Sequence, residues 1–415
     1  MKSSSRSLAL GALQRWRNGT EFADKIVVAI FAPSALGSSD RGFALELFYG
    51  VLRNLSLLDF WIAQLRHEPL DPGTRDLLRL GLYQILLLET APHAAVFETV
   101  ELTRPRGRSV VNAILRRALR ERTALTTLAE TQPASVRFST PEFLFQKWSA
   151  QFDPADALEL CAWNNRPAPL YARVNQLQTT LAEFLERHPG STVLPGRPNF
   201  VALPDLAGAL TGGDCYIQDP STALACELLR PAPGEIVLDA CAAPGGKAAY
   251  LAELMANEGT LIAADQEETR LARLRANFFR LGLQSARVLR CDWLDPESIR
   301  AAGLTEDTFD KILLDAPCSN TGVMRRRVDV RWRLRPDDFS RMPRQQLALL
   351  RAVAPFLKSG GALVYSTCSL EPDENEEVVA AFLREAPAFR LTESVRSWPF
   401  RDGIDGAFAA RLEFS

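Results

Sequence analysis

Ile236-Val-Leu-Asp-Ala-Cys-Ala-Ala-Pro-Gly-Gly-Lys247 is the stretch that decides the fold. A short apolar run ends in an acid, passes through a proline–glycine turn and opens a helix over Lys247–Met255. The alternation continues downstream: strand Thr260–Asp265, helix Glu267–Leu281, strand Ala286–Cys291 and a helix from Pro296. Strand Lys311–Asp315, helix Arg344–Leu357, strand Gly361–Ser366 and helix Asn375–Arg384 complete it. Such alternation predicts an α/β, doubly wound, mainly parallel sheet with crossovers of one hand. Ligands of such sheets sit at the C-terminal strand ends, so the residues there are the candidates for function.

Upstream the period changes. Ser5–Arg17, Asp40–Asn54, Leu57–Leu65, Asp71–Glu89 and Ala94–Arg122 carry apolar residues at three- and four-residue spacing, with proline and glycine between them. An all-α bundle is therefore expected over 1–125, a linker over 126–140, a small α+β subdomain over 141–218 and the α/β core over 219–415. His93, behind Pro92, reads as a packing or capping residue. Asn175 is open between a ligand contact and a turn.

Bulk properties bound the function. Hydrophobic content of 47% with 24% charged residues suits a soluble globular chain. No apolar run approaches the roughly 18–20 residues of a membrane span. The start has no secretory pattern. Seven cysteines without a CxxC spacing, and only three histidines, argue against a metal site and for reduced thiols in a cytoplasm. Net charge is −2, yet arginine is clustered. Arg104, Arg106, Arg108, Arg116, Arg117, Arg120 and Arg122 fall within Glu101–Thr123, where a solvated face and an RNA contact are both open. Arg325, Arg326, Arg327, Arg331, Arg333, Arg335, Arg341 and Arg344 follow Cys318 and are expected to contact nucleic acid, because guanidinium forks grip phosphate and stack on bases.

The Gly245–Gly246 turn is neither GxGxxG nor a P-loop, because Ala248 follows Lys247. Acids close the strands instead: Asp239, Asp265 and Asp315, with Asp292 just past the third. Asp265 is placed to accept from ribose hydroxyls. An adenosyl ligand carrying a cation suits this row, and S-adenosylmethionine is the expected cofactor; phosphates would be repelled. Two thiols, Cys318 and Cys368, sit just past the last two strands. If those strands pair, roughly 4.8 Å apart, both thiols face one cleft. That arrangement suits methylation of C5 of a pyrimidine, where a thiolate must first add to C6 to make C5 nucleophilic. An acid able to bond the ring, and a base for the C5 proton, complete the set. Cys161, Cys215, Cys226 and Cys291 read as small buried hydrophobes.

Asp239–Lys247, Asp315-Ala-Pro-Cys-Ser-Asn-Thr-Gly322, Ser366-Thr-Cys-Ser369 and Glu371-Pro-Asp-Glu-Asn-Glu-Glu377 resemble the RNA 5-methylcytosine methyltransferase superfamily. Asp40-Arg-Gly-Phe, Tyr49-Gly-Val-Leu-Arg53, Leu80-Gly-Leu-Tyr83-Gln and Val111-Asn-Ala-Ile-Leu-Arg116 are similar to a NusB-type N-terminal domain. The combination resembles the branch that modifies 16S rRNA. The resemblance implies a Rossmann-like methyltransferase core. It implies S-adenosylmethionine held by Cys241, Ala242, Ala243, Pro244, Gly245, Gly246, Lys247, Asp265, Asp292 and Asp315. It makes Cys368 the nucleophile, gives Cys318 the release step, and adds Asp315 and Lys247 to the catalytic set. Departures are Thr103-Arg-Pro-Arg-Gly-Arg-Ser109 and the longer Asp402-Gly-Ile-Asp-Gly406. A cytoplasmic monomer acting on RNA, without metal or membrane, is expected. A tRNA cytosine-5 methyltransferase and an RNA-binding factor with a vestigial core are the alternatives.

Overall fold

The computed structural model describes residues 4–88, 90–206, 208–209 and 212–415; the expected helix end at Glu89 and the start Met1–Ser3 lie outside them. The chain forms two compact units. One comprises the residues up to Pro167 with Met324–Leu334, the other Ala168–Val323 with Arg335–Ser415.

The first unit is helical. Ser4 caps its first helix, Ser5–Asn18, accepting from the Ser7 amide at 3.2 Å. Ser38–Arg53 meets the turn Tyr83–Leu87 closely, since a Cβ on Gly50 would lie 2.1 Å from the Tyr83 ring. The predicted helix Ala94–Arg122 is two helices, Pro92–Glu101 and Arg108–Arg120. Pro105 lies between them and has no N–H to continue the ladder. His93 stacks on Phe97 within the first of these. Ala23–Phe31 is a further helix, and the expected linker is largely helical, Arg122–Glu130 and Ala134–Arg137. Buried Leu125 and Ala129 anchor it, and the Trp61 indole donates to the Leu125 carbonyl at 2.9 Å.

The arginine-rich segment after Cys318 requires a correction. Within Met324–Leu334 the guanidinium groups serve the helical unit. Arg331 is 1% exposed and donates to Phe138 O, Ser139 O, Asn164 O and Asn165 Oδ1 at 2.7–3.3 Å. Arg325 is buried over the Trp163 ring. Arg333 caps the carbonyls of Trp16, Gly19 and Glu21. Asp329 accepts from the Trp16 indole and the Ala23 amide. Arg325, Arg331 and Arg333 are packing residues. Arg327, Arg335, Arg341 and Arg344 are exposed.

The second unit holds two sheets. Strands β1 (Tyr171–Val174), β2 (Thr192–Leu194), β3 (Arg197–Ala202) and β4 (Cys215–Ile217) form an antiparallel sheet in the order β2-β3-β1-β4. Buried Asn175 is a structural residue, donating to Gly213 O at 2.7 Å and Leu281 O at 3.0 Å. The larger sheet contains β5 (Ile236–Asp239), β6 (Thr260–Asp265), β7 (Ala286–Arg290), β8 (Phe309–Asp315), β9 (Leu357–Thr367), β10 (Phe389–Ser397) and β11 (Ala407–Phe414). Its order is β10-β11-β9-β8-β5-β6-β7. The five strands from β9 to β7 are parallel, as the alternation predicts. β10 and β11 add an antiparallel edge that the alternation does not announce. Arg390 to Glu393 in β10 are largely exposed and polar, so that strand lacks the apolar run of a buried one.

Candidate active site

The strand order sets the site. β9, β8, β5 and β6 lie side by side, with Asp315 opposite Ser366 across β8–β9. Asp315, Asp239 and Asp265 therefore close three neighbouring parallel strands, and Asp292 follows β7 beside them. Cys318 and Cys368, each three residues or fewer past this row, meet with sulfurs 3.3 Å apart as free thiols.

The Asp239–Lys247 loop is braced by protein. Ala240 N donates to Leu313 O and Ala242 N to Ala264 O. Arg270 donates to Ala243 O at 2.8 Å and Asn277 to Pro244 O at 2.9 Å. Gly245 has φ of +111° as it turns into helix Gly246–Leu254. A Cβ on Gly246 would lie 2.9 Å from the Tyr216 ring. Packing alone thus demands glycine there, beyond the close ligand approach expected from the sequence. From β1, buried Arg173 reaches Gly246 O, forms an ion pair with Glu253 and lies over the Tyr250 ring.

Lys247 Nζ sits 2.7 Å from Asp315 Oδ2, and Asp315 Oδ1 accepts from Ser366 at 2.8 Å. Burial opposes the Lys247 charge, but Asp315 outweighs it and holds the ammonium above the usual lysine range. The Cys368 sulfur also lies within its field. Lys247 thus supplies a cation near Cys368. The Cys318 thiol is held well above its ordinary range, first by its hydrogen bond to Cys368, then by burial and by Glu374. Cys318 therefore holds its proton, and Cys368 is the sulfur that lies in the field of the Lys247 ammonium. Asn320 touches both loops, with Nδ2 on Cys318 O at 2.7 Å and Oδ1 3.3 Å from the Cys368 sulfur.

Asp265 accepts from the Glu267 amide at 3.1 Å and pairs with Arg270 at 3.2 Å. Asp292 accepts from Leu294 N at 3.0 Å. Asp239 differs. Its carboxylate is fully buried with no side-chain hydrogen-bond partner, and burial with Asp315 pushes it up to about 7 although Lys247 and the Cys241 amide pull the other way.

Family models match three stretches: the 16S rRNA methyltransferase RsmB/F over 226–413, the NusB family over 3–120 and the RsmF/B-like ferredoxin-like domain over 140–188. The "Probable ribosomal RNA small subunit methyltransferase B" of Bacillus subtilis is 36% identical across 97% of this chain and 94% of that protein. The chain belongs to the RsmB/F family of 16S rRNA methyltransferases.

It is an RNA methyltransferase, with a NusB-like helical region and a Rossmann-like core. Among solved structures, PH0851 aligns over 100% of this chain and 99% of that chain at TM-score 0.78 and 24% identity. NSun6 from Pyrococcus horikoshii, solved with SFG, covers 66% of this chain and 98% of that chain at TM-score 0.59 and 21% identity. Both likenesses concern the fold. Among the described residues no cluster of His, Cys, Asp or Glu is arranged to hold a metal, and no helix is long and apolar enough to cross a membrane.

Within the family site, sequence reasoning missed the partners that hold the thiols. Asn320, Ser366 and Glu374 lie inside the quoted motifs, but spacing alone gives no sign of what their side chains touch. The departure at Asp402–Gly406 also reaches the cysteine loops. Gly406 N donates to Gly322 O, while Gly322 N donates to Cys368 O. Their backbones approach too closely for a Cβ at either glycine.

Proposed function

We propose that this enzyme transfers a methyl group from S-adenosylmethionine to C5 of a cytosine in 16S rRNA through a covalent adduct on Cys368. The observation that carries the reading is the 3.3 Å approach of two free thiols at neighbouring strand ends, beside the Lys247–Asp315 pair. The family description supports the rRNA substrate. The SFG of the NSun6 structure, an analogue of S-adenosylmethionine, supports the cofactor. We further propose a monomer working in the cytoplasm.

The residues fit the cofactor. A buried carboxylate without a side-chain partner is costly, and Asp239 is such a group, flanked by Asp265 and Asp315. A ligand with an ammonium and a sulfonium matches that row. Cys241–Lys247 would line it, Asp265 would accept from the ribose and Asp292 would face the adenine. When bound, S-adenosylmethionine supplies an electrophilic methyl group.

The chain's own groups do the rest. Cys368 thiolate forms the S–C6 bond, and the C5=C6 electrons move into the ring, where Asp315 is placed to bond the cytosine. Lys247 keeps Asp315 oriented and favours the thiolate. C5 takes the methyl group, leaving a neutral ring that still carries the C5 proton. Cys318, having given its own proton to solvent, accepts that proton. The electrons restore C5=C6, and Cys368 leaves as thiolate. One proton is released per turnover, as the overall reaction requires. Adduct decay should therefore rise with pH, because the thiol that must ionise is held high.

Cofactor binding checks the acid row. Asp265→Ala should weaken S-adenosylmethionine by about one to two orders of magnitude in titration calorimetry, the loss of a charged acceptor. Unchanged affinity would misplace the ribose. Asp239 has a raised pKa, so its stabilising effect is full below the ordinary carboxyl range and is lost as pH rises through about 7. The ionised form is the one a cation binds. Affinity should thus increase between pH 5.5 and 8, and Asp239→Asn should flatten that rise while raising the melting temperature of the ligand-free protein at pH 8. A flat wild-type profile would contradict the assignment. The reading as a whole is tested by exposing purified 16S rRNA and tRNA to the enzyme with methyl-labelled cofactor. Label in 5-methylcytidine from 16S rRNA is expected; label in tRNA alone would replace the substrate.

A further inference from the structure

Glu374 lies in the Glu371–Glu377 stretch, to which the mechanism assigns nothing. Its side chain is fully buried, and among the described residues no cation pairs with it. Four neutral donors hold it. Oε2 accepts from the Ser319 amide at 2.9 Å and from Gln346 Nε2 at 2.8 Å. Oε1 accepts from the hydroxyls of Ser319 and of Ser369, the latter at 2.8 Å. Ser319 follows Cys318 and Ser369 follows Cys368, so one carboxylate binds both cysteine loops. Gln346 also donates to Pro317 O at 2.9 Å, so Cys318 is held from both sides.

Glu374 grips the two loops unequally, taking both the amide and the hydroxyl of Ser319 but only the hydroxyl of Ser369. The Cys368 loop has other ties: Asn375 donates to Ser369 O at 2.9 Å, Thr367 donates to Asn375 at 2.6 Å, and Gly322 N donates to Cys368 O at 2.9 Å. The Ser319 amide rests on Glu374. We infer that Glu374 is a positioning residue that holds Cys318 against Cys368 and thereby governs release of the methylated product rather than the first attack. This rests on the covalent reading above and deepens it. The charge of Glu374 also helps keep the proton on Cys318.

Glutamine at this position keeps one acceptor oxygen and turns an NH2 toward donors that need an acceptor. Displacements of an ångström at a reacting group can cost about a hundredfold. Glu374→Gln should lower turnover about tenfold or more, leave S-adenosylmethionine affinity unchanged, and accumulate protein joined to RNA while Cys318 is still present. The rise of adduct decay with pH should begin at lower pH in Glu374→Gln, which lacks the charge, and should stay in place in Glu374→Asp, which keeps it. In a Cys318→Ala background, adding Glu374→Gln should leave the rate of adduct formation unaltered, because the residue acts through Cys318. Ser319→Ala, which removes the hydroxyl's contacts to Glu374 and to Ser369 and keeps the amide bond, should accumulate adduct to a smaller extent and carries the test if Glu374→Gln does not fold. Adduct formation slowed in the Cys318→Ala background as much as turnover, or an unmoved pH limb, would overturn the inference alone. No adduct from Cys318→Ala itself would overturn the covalent reading and this inference together.

Discussion

Cys318→Ala should convert the enzyme into a trap: protein covalently joined to rRNA, surviving denaturing electrophoresis, with turnover lost. Cys368→Ala should lose turnover as well and form no such species. The asymmetry follows from the site. The Cys318 thiol is held high, its sulfur is 3.3 Å from that of Cys368, and Cys368 lies in the field of the Lys247 ammonium. Attack on C6 needs only the thiolate of Cys368, because a thiolate and not a thiol is the nucleophile. Restoring the aromatic ring needs the C5 proton removed, which is the task given to Cys318. An RNA-labelled band in Cys318→Ala, absent from Cys368→Ala and from the double variant, is the expected result. A band in Cys368→Ala instead would exchange the roles. No band in any variant would leave the two thiols as packing.

Arg331→Ala should destabilise the helical unit by about 3–5 kcal/mol, as the removal of a buried charged donor does elsewhere. The side chain is 1% exposed, and four oxygens from Phe138, Ser139, Asn164 and Asn165 take its donors. Truncation orphans those acceptors and leaves a cavity. For a unit of this size a loss of that order lowers the melting temperature by roughly 10 °C. Arg331→Lys should fall between, since one ammonium cannot reproduce a guanidinium fork. Scanning calorimetry of the full chain reads both. A melting temperature unchanged within a degree, with RNA affinity reduced, would return Arg331 to the nucleic-acid surface.

The sequence showed more of the core than of its connections. Strands β5 to β9 announce themselves because buried parallel strands need short apolar runs, and glycine or proline marks the turns between them. The acids and thiols could be read from their places just past those runs. β10 could not, since its solvent-facing residues break the apolar pattern. The Arg325–Arg333 segment misled for a different reason. Arginine suits phosphate and buried carbonyls equally well, and the partners of Arg331 lie more than 150 residues away in the chain. Glu374 has the same obscurity: an acid in an acidic stretch reads as solvated until the fold encloses it. Pro105 was visible, and its missing N–H was sufficient to divide the predicted helix Ala94–Arg122.

The central claim is methylation at C5 of a cytosine in 16S rRNA, and position-resolved mapping of 5-methylcytosine in total RNA tests it most directly. Cells with the intact chain and cells carrying Cys368→Ala in its place should differ at a 16S rRNA cytosine, methylated at C5 in the first and unmodified in the second. A difference confined to tRNA, a methyl group on a ring nitrogen or a ribose, or a site still methylated with Cys368→Ala would contradict it.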